Sequence, residues 1–207
     1  MLKRTISRLL LSLIVITGLA GTLKDNSISS KERKFAVGLM KESKEAVIKS
    51  TQGLSKAQLN FKASPEKWSI SECIYHIAGA EKLLWNMFEG SLKVAANPDK
   101  RTEIKVTDEE FVKMVQDRSM KAQAPETLQP KNTGYTSLAN SISNFKKTRM
   151  EHIKYMKTST EDLRNHIVQM PNGWIDCYQL YLMIAAHSNR HLQQIEEIKA
   201  SPGFPNK

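Results

Sequence analysis

The sequence predicts an all-α protein: a four-helix bundle with a long crossover and one short extra helix. Three observations carry this. Apolar residues recur at helical spacing in four long runs, strand-like alternation is nearly absent, and Gly and Pro fall mostly between the runs. At 207 residues the chain suits one domain with a real hydrophobic core.

The first helix is expected over residues 31–50, with Phe35, Leu39, Ala46 and Val47 inward. A connector opens at Gly53 and closes at Pro65. Ser69 and Glu72 then have capping-box spacing, in which hydroxyl and carboxylate each satisfy an orphan amide, so a second helix runs from Ile70 to about Glu89. Thr107 and Glu110 repeat that spacing and open the short extra helix, expected to reach about Met120. Residues 124–134 hold two prolines and read as loop. The third long helix spans about 137–157. A connector with Pro171 and Gly173 follows, and Asp176 caps the fourth helix, which runs to about Ala200 before Pro202 and Pro205 stop it. Trp68 and Trp174 each stand immediately before a capped helix.

The ends and the charge bound the function. Lys3, Arg4 and Arg8 precede an apolar stretch over residues 9–19, and Gly18 and Ala20 give a small-x-small cleavage pattern. Residues 1–20 therefore read as an export signal, or as an anchor if uncleaved, and residues 21–207 as the bundle domain. A periplasmic or extracellular location follows, with no stable membrane span after cleavage. The remainder carries 28 basic and 21 acidic residues, a net +7. Its lysines are scattered and no strip of Arg and aromatic residues appears, so nucleic acid is not the expected partner.

His187 and His191 lie four residues apart in the fourth helix, which puts two imidazoles one turn apart on one face. His76 on the second helix supplies a third. Three imidazoles from two packed helices would hold a divalent transition metal, Zn, Ni, Mn or Fe, and leave a position open. Gly79 and Ala80 share the His76 face and leave room beside the ring. Met183, His187, His191 and Gln194 form one stripe, and Gln194 can orient a ligand histidine or a water. His152 is a candidate fourth ligand or acid-base group if its face points inward, and His166 a satisfied surface histidine. Glu72 is tied to its cap and so is a poor general base. Tyr75, Tyr178 and Tyr181 are expected as core or rim aromatics.

Cys73 and Cys177 pose a test, because an even cysteine count in an exported chain favours a disulfide. If one ion joins the three histidines, the two cysteines stand at least ~13 Å apart along the bundle at ~1.5 Å rise per residue. Bridged cysteines need Cα atoms within ~7 Å. The site and the disulfide exclude each other, and two free thiols are expected.

Four segments carry a family resemblance: Gly53, Leu54, Ser55 and Gln58; Pro65, Trp68, Ser69, Glu72 and His76; Ala186, His187, Arg190, His191 and Gln194; and the tail from Pro202 to Pro205. In these the chain resembles the DinB-like (DinB/YfiT) superfamily, whose members are taken for metalloenzymes. The resemblance runs over about residues 31–205 and is weakest over 91–134. It implies a four-helix bundle, often a homodimer, with a divalent ion on His76, His187 and His191. Relatives include transferases and isomerases that use small thiols such as bacillithiol or mycothiol. The export segment departs from the family, because those thiols are cytosolic.

The leading expectation is thus an exported metal-dependent enzyme of hydrolase or transferase type acting on a small molecule. No further catalytic group stands out. The alternative is a non-catalytic exported binding module whose metal is structural or absent, which a fourth protein ligand closing the shell would favour. A third reading has the histidines as ordinary core residues.

Overall fold

Side chains at the chain's turning points start each helix. In the computed structural model, which describes residues 28–119 and 123–206, Ser29 and Glu32 form a capping box before α1 (Ser30–Thr51). Ser55 and Gln58 do the same for the short α2 (Lys56–Asn60). Ser69 and Glu72 cap α3 (Ile70–Leu92), and Thr107 and Glu110 cap α4 (Asp108–Gln116). Ser137 caps α5 (Leu138–Thr158), and the Asp176 carboxylate accepts from the Gln179 amide at the start of α6 (Cys177–Lys199). The proposed export segment lies outside the described residues.

Three expectations need correction. The inward stripe of α1 is Ala36, Met40, Ser43 and Val47, and Phe35 is 38% exposed. The large apolar residues sit one position off the true stripe, with Leu39 and Ala46 half-buried on its flanks. Helix α4 ends at Gln116 rather than near Met120, because the Asp117 carboxylate turns the chain by accepting from the Ser119 amide and hydroxyl. The connector before α6 holds a small antiparallel hairpin, β1 (Ile167–Met170) with β2 (Gly173–Asp176). Strands of four residues show too little alternation to be read in sequence.

The long helices pack in a ring in which α6 touches α1 and α3, and α5 touches the same two. Their apolar stripes build two cores. One joins Met40, Phe88, Met156 and Tyr181; the other joins Val47, Ile70, Phe145 and Ile195. Helices α1 and α6 run from the first core to the second, and α3 and α5 run the other way. The chain between α3 and α5 therefore crosses back over the bundle, which makes those two helices parallel neighbours. Helix α4 in that crossover packs on α6. Cys73 and Cys177 are free, buried and in different cores, as the spacing argument requires. No helix among the described residues is long and apolar enough to cross a membrane.

Candidate metal centre

Because α3 and α6 run antiparallel, residues early in α3 face residues late in α6. His76 in the second turn of α3 thereby meets His187 and His191. Their ring centroids lie 5.0 Å and 4.3 Å from that of His76, and 4.6 Å from each other. His76 Nε2 is 3.2 Å from His187 Nε2, which is 3.2 Å from His191 Nε2. Among the described residues these three form the group of side chains whose ligand atoms lie within 4.8 Å of one another. Tetrahedral nitrogens bound to zinc at ~2.05 Å stand ~3.3 Å apart, so the observed spacing matches what one ion needs.

The outer nitrogens fix the protonation. His76 Nδ1 lies 2.8 Å from the Leu128 carbonyl, and His191 Nδ1 lies 2.9 Å from Gln194 Oε1. Both partners only accept, so both Nδ1 atoms carry hydrogen and donate. Both Nε2 atoms then turn a lone pair toward His187. Burial lowers all three pKa values, and for His187 the neighbouring His76 adds to it, bringing that ring to about 3. The rings are thus neutral near pH 7. Nε2 of His187 can offer at most one proton to two waiting lone pairs. A cation at the point of convergence satisfies all three nitrogens at once, and the donor set therefore fits a divalent transition metal.

The surroundings shape access. Trp68 packs over two of the rings, with centroids 4.9 Å from His76 and 5.9 Å from His191. His76 and His191 are buried, while His187 is partly exposed. The room expected beside Gly79 is filled. A Cβ there would meet Thr133 at 3.1 Å and Leu128 at 3.6 Å, so the missing side chain lets the crossover close onto His76.

The other candidates have separate partners. His152 does point inward, but its Nδ1 lies 2.8 Å from Glu81 Oε1 and its ring stacks on Trp85 at 3.9 Å. His166 Nδ1 bonds the Ser91 carbonyl. Glu72 is held by the Ser69 amide at 2.7 Å and by Lys62 at 2.7 Å, so it is not a free base. Tyr178 and Tyr181 are fully buried and donate to the carbonyls of Glu32 and His152. Sequence reasoning missed Glu81 and Arg149, which form a buried ion pair next to the centre. Burial alone would raise the Glu81 carboxyl, but Arg149 and His152 outweigh it and hold it low. The available signal was a charge in an apolar stripe: Glu81 between Ile77 and Leu84, and Arg149 between Phe145 and Ile153. The Leu128 carbonyl as partner had no signal, since it depends on how the crossover folds back; Trp68 stood out just before the α3 cap, but nothing there showed that it covers the rings.

A family model described as the DinB superfamily matches residues 39–195. The chain belongs to the DinB superfamily. As a DinB-superfamily member it is 28% identical over 155 residues to the uncharacterized protein YuaE of Bacillus subtilis (strain 168), spanning 72% of this chain and 87% of YuaE. It also aligns with the solved structure of YfiT from Bacillus subtilis at a TM-score of 0.59 and 14% identity, over 86% of this chain and 92% of that one. That protein is described as a probable metal-dependent hydrolase with an unusual four-helix bundle topology. The likeness extends to the fold of this DinB-superfamily chain.

Proposed function

We propose that this protein is an exported, metal-dependent hydrolase of a small molecule, with one divalent transition-metal ion on His76, His187 and His191. The observation that carries the reading is the convergence of three neutral imidazoles, two of them bound to have bare Nε2 lone pairs facing the same point. The description of YfiT favours hydrolysis over group transfer. So does the basic and apolar leader, which would carry the chain away from cytosolic thiols.

A bound ion supplies Lewis acidity toward a carbonyl or phosphoryl oxygen and makes water a stronger nucleophile near neutral pH. The chain's own groups do the rest. Leu128 and Gln194 fix the tautomers of His76 and His191, and so aim their nitrogens. Trp68 excludes water from one side. Substrate would approach from the side of His187, the one partly exposed histidine of the three. His152 is occupied by Glu81 and does not close the shell, which favours an open, catalytic site over a structural one.

Elemental analysis of the mature protein prepared without a His tag tests the ion. Isothermal titration with Zn²⁺ should show one site in the unaltered chain and none in His187→Ala. Equal binding by that variant would remove the proposal. Hydrolysis of an ester and amide panel should appear with the metal and vanish with a chelator.

A further inference from the structure

Each long helix carries a buried polar side chain where its apolar stripe passes from one core to the other, and these four fall at one level of the bundle. Ser43 lies between Met40 and Val47 on α1, and Glu81 between Ile77 and Leu84 on α3. Arg149 lies between Phe145 and Ile153 on α5, and Ser188 between Ile184 and Ile195 on α6. In every case one neighbour belongs to the first core and the other to the second. The layer therefore divides the two cores.

Arg149 joins all four helices and is 0% exposed. Its Nε and Nη2 donate to the two Glu81 oxygens at 2.7 Å and 2.5 Å. Nη1 donates to Ser43 Oγ at 2.6 Å and to the Met40 carbonyl at 3.3 Å. Nη2 also reaches Ser188 Oγ at 2.8 Å and the Ile184 carbonyl at 3.4 Å. Glu81 completes its set with His152. A planar guanidinium with donors in fixed directions accepts little sliding of its partners.

Net stability is a poor account of such a pair. Desolvation opposes burying both charges, and apolar side chains of similar volume are commonly as stable. What a buried, directional pair can add is a fixed register. The layer sits directly beside the three histidines. Ser188 adjoins His187, and Glu81 is five residues beyond His76, which is ~7.5 Å along the helix. The two groups that must be held relative to each other are on α3 and α6, the same helices that carry the ligands. A metal shell tolerates only ~0.2 Å in its bond lengths.

We infer that Glu81, Arg149 and Ser188 are positioning residues that lock α3 against α6 and so set the spacing of His76 from His187 and His191. The inference rests on the metal-binding role of those histidines. The layer acts through the ligands and touches no substrate.

The test compares metal affinity with folding. Arg149→Met combined with Glu81→Leu replaces the ion pair by apolar side chains, and Ser188→Ala cuts one tie to α6. Zn²⁺ affinity is measured by competition titration, the coordination geometry by the visible spectrum of the Co²⁺-loaded protein, and folding by thermal melting of the metal-free protein. The double variant should melt at or above the wild-type temperature, yet bind Zn²⁺ roughly tenfold or more weakly, with a shifted Co²⁺ spectrum. Ser188→Ala should move affinity in the same direction by less. A folded double variant with wild-type affinity and spectrum overturns the inference. If the double variant does not fold, wild-type affinity and spectrum in Ser188→Ala overturn it instead. Failure of the unaltered chain to bind Zn²⁺ overturns the metal role itself, a distinguishable result.

Discussion

At the scale of single residues, the three imidazoles couple stability to pH. Burial lowers the pKa of His76, His187 and His191 from an ordinary 6.5, and for His187 to about 3. In the unfolded chain they return to about 6.5. Through the window between those values the unfolded chain binds more protons, so stability is full above about 6.5 and falls as pH drops below it. The metal-free protein should therefore melt at progressively lower temperature from about pH 7 to about pH 5, and His187→Asn should show a shallower slope. Identical slopes in the two proteins would contradict the assigned pKa direction. His187, His191 and Gln194 were legible as a group because helical spacing alone puts them on one stripe, while His76 meets them through the packing of α3 on α6. Arg149 was not, because a sequence shows that a charge enters an apolar face but not which charge meets it.

Among the elements, the helix starts were the most legible, because a capping box is local chemistry. Ser69 and Glu72 begin α3 just before His76, and Ser69 is 3% exposed. Ser69→Ala should cost about 1 kcal/mol of stability while leaving the zinc stoichiometry unchanged. Chemical denaturation alongside metal analysis checks both halves of that statement, and lost stoichiometry would mean the cap also places His76. Less legible was how starts gather. Glu32 of α1, Asp108 of α4 and Asp176 before α6 all bond the Arg164 guanidinium. Three helix N-termini, each favouring negative charge, are thus tied by one cation from the connector before β1. Nothing in the spacing of those four residues announces this, since they are spread over most of the chain. The face of α1 differs from the expected one for a related reason: Phe35 is the larger apolar residue, but Ala36 is the one that is fully buried.

Taken whole, the molecule brings His76, His187 and His191 together from two antiparallel helices, so an ion bound there would link parts of the chain that separate on unfolding. Only the folded state assembles the full set, so mass action would make a bound metal a stabiliser. At one hundred times its dissociation constant Zn²⁺ should add about 2.7 kcal/mol. For a domain of this size that is roughly a 5–11 °C rise in melting temperature. A chelator should reverse it, and a melting point indifferent to Zn²⁺ would leave the histidines as core residues. The bundle was readable from periodicity, and its long crossover from the loop signals between Asn97 and Gly134. The direction of the helices was not, because an apolar stripe names the buried face and is silent on which end faces which core.

The two sulfhydryl groups give this architecture its own gauge of opening. Cys73 and Cys177 are sealed in opposite halves of the bundle, and burial pushes each thiol up to about 12. An alkylating reagent can reach either one only after its own half has come apart. Equal labelling rates would report a molecule that opens all at once, and unequal rates would show which half yields first.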